Sequence, residues 1–433
     1  MPRRVPRTAA VGVALIAATA CTADQPSGGR FDEPATSTAS TALPSVTVSS
    51  SGASASPGAS PSASTATISP RPPSPPRPAV AAEAARVRTC ARAVTARMSP
   101  QDKAGQVLVV GVPVADPRKG ADAVRRYRLG GVFLHGRTTL TPAQLRARVD
   151  ALRASTRSSR PPLHVAVDQE GGKVRSLQGR GFEQQPPAVE QGRQDPAVLG
   201  RAARRSAKGL HAAGVTVNFA PVADVVPAGT ERANPPIGAF GRQYGSTPAG
   251  AGRAVPVVVR SSQAESVQAT LKHFPGLGRV RANTDVSTRA VDARTTASDP
   301  ALQPFRAGID AGAGFVMMSS ARYPALDPHQ PAVFSHRIVT DLLRRSLHFD
   351  GVIVSDDLGA AKAVAAVKPG DRAVRFVAAG GDLVLTVQPA DAGPMTAALT
   401  ARARTDAAFR ARLDDAVTHV VMSKVRAGLV PCR

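Results

Sequence analysis

Gly351-Val352-Ile353-Val354-Ser355-Asp356-Asp357-Leu358 is a short β-branched run that ends abruptly in two carboxylates. A continuous apolar run of this length suits a parallel strand buried on both faces. Seven further stretches read the same way: Gln106–Val114, Gly131–His135, Leu163–Asp168, Thr216–Ala223, Gln268–Phe274, Gly314–Ser319 and Asp382–Val387. Between them lie helix-like segments such as Pro142–Ser155, Pro196–Ala213 and Ser335–Ser346. Strands alternating with helices predict an α/β protein with a parallel sheet. Eight repeats over about 330 residues predict a closed (β/α)8 TIM-like barrel rather than an open, doubly wound sheet. A dinucleotide fold would carry Gly-x-Gly-x-x-Gly after its first strand, and none follows here.

Polar residues gather at one end of these strands. Strand three ends in Val167-Asp168-Gln169-Glu170-Gly171-Gly172, and strand four runs Asn218-Phe219-Ala220-Pro221-Val222-Ala223-Asp224. Strand five ends in Lys272-His273-Phe274-Pro275-Gly276, and strand six in Met317-Met318-Ser319-Ser320. In such barrels the active site lies at the C-terminal strand ends, so this placement marks a site. Each residue also has a structural reading. Asp168 can cap a following helix, but the two glycines after it suit close approach of backbone to a ligand. Asp224 reads equally as a buried structural carboxylate. Lys272 and His273 need partners if buried, which a polar pocket supplies. Asp356 and Asp357 are neighbours on a strand and face opposite sides. One can face the barrel mouth while the other caps or pairs.

Outward from the barrel, the ends of the chain differ in kind. Residues 1–21 resemble a signal peptide: Arg3, Arg4 and Arg7, then an apolar stretch from Ala9 to Ala20 that is too short for a permanent span. Ala18-Thr19-Ala20-Cys21 resembles a lipoprotein processing site, which makes Cys21 the expected lipidation position, with simple cleavage and secretion as the alternative. Residues 22–81 are rich in Ser, Thr, Ala and Pro and bury too little to fold. They are expected to be a disordered tether between an anchor on the outer face of the cell membrane and a folded domain spanning 82–433. Cys90 and Cys432 flank that domain. A barrel brings its first and last elements together, so a Cys90–Cys432 disulfide is expected in an exported chain.

Of the 433 residues 42 % are hydrophobic, 3 % are aromatic and none is Trp, so Val, Ala and Leu must fill the core. The net charge of +24 raises the question of nucleic acid. The arginines, however, are scattered over helix-like stretches (Arg125, Arg126, Arg201, Arg204, Arg205) and do not interleave with aromatics as single-strand binding requires. No nucleic-acid partner is expected. The basic surface suits an anionic cell envelope, and with no apolar surface stripe evident a monomer is expected. His-x-His and clustered cysteines are missing, so neither a metal nor a cofactor is expected. Carboxylates with Lys, Arg and His around one mouth point to sugar chemistry, in which one carboxylate attacks and another group moves a proton.

These segments also carry a resemblance. Lys272-His273-Phe274-Pro275-Gly276-Leu277-Gly278 resembles the KHFPGxG signature of glycoside hydrolase family 3, in its single-domain β-N-acetylglucosaminidases of NagZ type. Val167–Gly172 resembles that family's VDxEGG, and Asn218–Asp224 its NxAPVxDV. Asn234-Pro235-Pro236-Ile237-Gly238 followed by Arg242 resembles NPxIGxRxFG, respaced. Tyr323–Asp327 and Gly351–Leu358 complete the set, which spans Ser99 to the C-terminus. The tether and processing site are similar to those of the actinobacterial lipoprotein branch. The resemblance implies a retaining exo-β-N-acetylglucosaminidase acting on cell-wall or chitooligosaccharide fragments, with another family 3 β-glycosidase, or a weakly active or non-catalytic glycan-binding envelope lipoprotein, as the alternatives. It implies Asp356 as nucleophile and Asp168, Arg242, Lys272, His273 and Met318 around the terminal sugar, with Asp224 supporting that pocket. One departure stands out. Where the family carries Asp-Ser-His, whose Asp–His pair is the acid/base, this chain has Asn283-Thr284-Asp285 and no His in the loop. Asp285 is the expected acid/base if burial raises its pKa, and loop Gly278–Ser287 is expected to close over substrate.

Overall fold

The computed structural model describes residues 78–156 and 161–432. The signal peptide, Cys21 and nearly all of the tether lie outside the described residues. Eight parallel strands form a closed barrel: β1 (Leu108–Pro113), β2 (Gly131–His135), β3 (His164–Val167), β4 (Val217–Asn218), β5 (Gln268–Phe274), β6 (Phe315–Met318), β7 (Val352–Asp357) and β8 (Leu383–Thr386). Neighbours in sequence are neighbours in the barrel, and Leu108 opposite Val384 closes the ring. A helix follows each strand. Helix α1 (Pro78–Ala96) and helix α2 (Pro100–Gln106) precede β1, and the last helix (Ala407–Arg426) follows the eighth repeat.

Strand alternation sorts the apolar residues into two cores. Val109, Phe133, Ala166, Phe315, Met317, Val354 and Leu385 fill the barrel interior, where the Phe133 and Phe219 rings stack at 5.5 Å. Val110, Val132, Val165, Val316 and Ile353 face outward and pack under the helices. Strand β5 is the exception. Its inward positions are Gln268, Thr270 and Lys272, all buried, so polar groups enter the interior from this strand.

Helix starts follow a local rule. Ser99-Pro100, Thr141-Pro142, Asp195-Pro196 and Thr247-Pro248 each place a capping side chain before a proline that needs no donor. Ser99 and Thr141 complete reciprocal capping boxes with Asp102 and Gln144. The observed β2, β5 and Pro142–Ser155 have the bounds expected from sequence, and most other elements differ by a few residues. Thr216–Ala223 is paired as a ladder only over Val217–Asn218, because Pro221 has no N–H to donate. An isolated bridge from Val222 to Lys272 resumes the contact.

Cys90 and Cys432 form a disulfide across a Cα–Cα distance of 5.9 Å, as expected from their positions. It joins α1 to the residues just beyond the last helix. That helix also helps seal the N-terminal end of the barrel. Ser423 Oγ lies 2.7 Å from His164 Nε2, and Lys424 Nζ donates to Gln106 Oε1 at 2.7 Å. Beside it the fully buried Asp382 accepts from Arg344 and Arg412 and from the backbone of Ile353.

Candidate active site

The C-terminal mouth holds a cavity of about 260 Å³. Asp168, Arg242, Lys272, His273, Asp285 and Asp356 all line it, so six of the residues singled out by sequence meet in one place. Three strands, β3, β5 and β7, and two loops deliver them.

The cavity wall is an ion network. Lys272 Nζ lies 2.6 Å from Asp168 Oδ1 and 2.6 Å from Glu170 Oε1. Arg242 makes a two-pronged contact with Glu170, Nε to Oε2 at 2.9 Å and Nη2 to Oε1 at 2.8 Å. Its Nη1 donates to the Pro236 carbonyl. Desolvation favours neutral forms here, yet opposite charges prevail. Burial pushes Glu170 up, but Arg242 and Lys272 outweigh it and bring its carboxyl down to about 2. Burial pulls Lys272 down, and Asp168 and Glu170 more than reverse it. The network therefore presents fixed charges and donors to a ligand rich in hydroxyls.

Glu170 had no role assigned from sequence. Its position in Asp168-Gln169-Glu170 places it two residues beyond Asp168, on the same side of an extended segment. That spacing is the signal that could have found it. The Asp168 cap reading fails, because the chain runs into a short antiparallel pair, Gln169–Gly171 with Val174–Arg175, and not a helix. Gly171 and Gly172 serve packing rather than ligand approach. A Cβ on Gly171, at φ +115°, would meet the Pro186 carbonyl at 2.5 Å, and one on Gly172 would touch Pro187.

His273 is held from below. Asp224 Oδ2 is 2.8 Å from His273 Nδ1, and Oδ1 accepts the backbone N–H groups of His273 at 3.0 Å and Leu277 at 2.8 Å. This places a proton on Nδ1 and turns Nε2 toward Arg242, 3.5 Å from Nη2. Asp224 is fully buried and is not on the cavity wall. It supports the pocket by positioning His273 and the turn after β5, and does not itself meet a ligand there. Met318 is a correction. It faces the outer core, and Met317 lines the cavity, because alternation from Phe315 puts the odd positions inside.

Asp356 is the penultimate residue of β7 and lies on the cavity wall, and the Asp357 N–H donates to its Oδ1 at 2.9 Å. Desolvation pushes its carboxyl up to about 6, against the pull of His273 and with the help of Asp285. Asp357 accepts from the backbone of Gly359, Ala360 and Val387, which is the capping role anticipated for one of the pair.

Asn283, Thr284 and Asp285 reach the cavity from the loop after β5. Asn283 Oδ1 accepts the Asp285 N–H at 3.0 Å, so the asparagine shapes the turn that presents Asp285. The loop is tied down. Lys362 donates to the Asp285 carbonyl at 3.1 Å and Ala363 to the Thr284 carbonyl at 3.0 Å. Asn234 Nδ2 bonds the carbonyls of Leu277 and Val280, joining this loop to the one carrying Arg242. Asp285 itself is exposed.

A charged mouth of this kind on a (β/α)8 barrel defines a hydrolase-type site for a polyhydroxylated ligand. Residues 100–423 match the glycosyl hydrolase family 3 N terminal domain, and the chain belongs to that family of glycoside hydrolases. The β-hexosaminidase of Stenotrophomonas maltophilia is 35 % identical over 295 residues, 65 % of this chain and 84 % of that protein. The crystal structure of the β-N-acetylhexosaminidase from Beutenbergia cavernae is 43 % identical, with a TM-score of 0.74 over 76 % of this chain and 99 % of that one. A family 3 β-N-acetylglucosaminidase from Paenibacillus is 29 % identical, with a TM-score of 0.70 over 77 % of this chain and 63 % of that one.

Proposed function

We propose that the protein is a retaining, exo-acting β-N-acetylhexosaminidase that removes terminal β-linked N-acetylglucosamine, with Asp356 as nucleophile and Asp285 as acid/base. The observation that carries this reading is the meeting of Asp356 and Asp285 in one small cavity that Asp168, Lys272 and Arg242 also line, with Glu170 pairing the two cations. Pockets for larger ligands run to about 300–1,000 Å³. A cavity of about 260 Å³ suits one terminal sugar and favours exo action. The names of the relatives support the same substrate.

In the first step an Asp356 oxygen attacks the anomeric carbon. The glycosidic bond breaks, and its oxygen leaves with the proton of Asp285. In the second step Asp285 takes a proton from water, the hydroxide oxygen attacks the anomeric carbon, and Asp356 is released. The exposed Asp285 carboxyl carries that proton into the first step, with the leaving sugar packed over it. An Asp carboxylate beside the acceptor position repels phosphate, so water is the acceptor. Cell-wall or chitooligosaccharide fragments are the proposed substrates, met outside the cell by a chain anchored through Cys21.

The test is release of 4-nitrophenol from its β-N-acetylglucosaminide by wild type, Asp356→Ala and Asp285→Asn. Turnover is expected to vanish in Asp356→Ala and to fall in Asp285→Asn most for poor leaving groups. Faster cleavage of the β-glucoside would overturn the substrate assignment. A tenfold rise in rate with added phosphate would overturn water as acceptor.

A further inference from the structure

The loop that carries Asp285 has a second face. Behind it lies a separate cavity of about 380 Å³, lined by Arg279, Arg281, Arg289 and Arg294 with Ser287 and Asp292 among the other wall residues. Residues 283–285 of the same loop face the sugar cavity, while Arg281 and Ser287, on either side of them in sequence, face this one.

The charges of this second cavity are unbalanced. Arg279 is satisfied by Asp299, with Nη1 at 2.5 Å, and by Thr295. Arg281, Arg289 and Arg294 are exposed, and among the described residues none forms a salt bridge. The two nearby carboxylates are already committed. Asp299 is bonded to Arg279 through both oxygens and also accepts the Ala301 N–H. Asp292 is buried, and its oxygens accept from the backbone of Arg294 and Thr295 and from the Thr295 hydroxyl. The wall is also ordered, since Asp292 and Ala290 exchange backbone bonds with Arg322. Three exposed arginines thus line one concavity whose two carboxylates are committed elsewhere, and a guanidinium can make paired N–H contacts with an oxyanion.

We propose that this pocket is an oxyanion site for the leaving group, taking a carboxylate or phosphate borne by the glycan on the reducing side of the scissile bond. The inference rests on the function proposed above, because it needs the bond to be cut beside Asp285. The terminal sugar occupies the first cavity, the leaving sugar lies outside it past Asp285, and its acidic substituent turns onto the arginines. The bound anion also ties the leaving group to the loop that protonates it. Specificity then comes from charge outside the sugar pocket, while neutral aglycones are cleaved without its help.

The experiment compares kcat/KM for two disaccharides, chitobiose and its analogue bearing a lactyl ether carboxylate on the reducing sugar, in wild type and in Arg289→Gln/Arg294→Gln. The acidic-to-neutral ratio is expected to fall about fivefold or more in the variant, the scale of a charge-assisted contact, with chitobiose changed less than twofold. Sulfate added at constant ionic strength is expected to inhibit cleavage of the acidic disaccharide in wild type and not in the variant. If sulfate instead slows both disaccharides equally in wild type and variant, or the ratio is unchanged, the proposal fails. Loss of chitobiose turnover in wild type would sink the underlying reading instead, so the two failures are distinguishable.

Discussion

The two ends of the barrel each bury a lysine, and the two lysines behave in opposite ways. Lys272 at the mouth is 2 % exposed and contacts Asp168 and Glu170, which hold its pKa above the ordinary lysine value. Lys424 at the sealed end is 0 % exposed, has one hydrogen bond to a neutral amide, and is pulled down to about 7 by burial. Burial is the same and partners decide the outcome. The mouth keeps its charges because each has an opposite charge beside it. The sealed end tolerates a lysine that gives up its proton.

The largest expected effect separates function from stability at the mouth. Asp356→Ala should lower kcat about a thousandfold or more without lowering Tm, since it removes a carboxylate that burial already disfavours. Stopped assays and thermal melts on one preparation check both halves. A large drop in Tm would give Asp356 a structural role the comparison denies it.

Breaking the mouth network should come next. Lys272→Met leaves Asp168 and Glu170 with one cation fewer. Losing one partner of a buried pair costs about 3–5 kcal/mol, readable by urea unfolding. The same substitution at the sealed end should have the opposite sign. Lys424→Met removes an unpaired ammonium and leaves the Gln106 amide short of a donor, for a net gain of about 1–3 kcal/mol at pH 7. If both substitutions destabilise alike, partners are not what distinguishes the two sites.

Lys424 also sets a pH dependence. Its folded pKa of about 7 lies below its unfolded value, so between them the unfolded chain holds the extra proton and stability rises with pH. The penalty is complete below pH 7. Wild type should therefore gain on Lys424→Met by about 1.4 kcal/mol per pH unit above 7. At the mouth, Asp356 as the proposed nucleophile must be ionised to attack. With its carboxyl pushed up to about 6, kcat/KM should fall about tenfold per unit below that pH. An acid limb centred near pH 4 would remove that assignment.

The fold was legible because each strand is a local signal. Val352-Ile353-Val354 and Gln268–Phe274 can be read without knowing their neighbours, and the Ser-Pro, Thr-Pro and Asp-Pro pairs announce helix starts. The site was legible where a polar residue broke an apolar strand end, as at Asp168, Lys272 and Asp356. Three features escaped. The inward face of β6 depends on register, which shifts the mouth methionine by one residue to Met317. Glu170 matters only because Arg242, 72 residues away, folds onto it. Asp224 reads the same in sequence whether it meets a ligand or a neighbour, and only its bonds to His273 decide. Pairings between distant segments are the part a local reading cannot supply.

The disulfide has a mechanical consequence. Chain N-terminal to Pro78 enters the domain through α1, and Cys90 on that helix is bonded to Cys432, 342 residues away in sequence. A pull from the N-terminal side is therefore borne at once by both ends of the polypeptide. Residues after Cys90 cannot be peeled away one repeat at a time. The barrel must yield as a whole ring or hold.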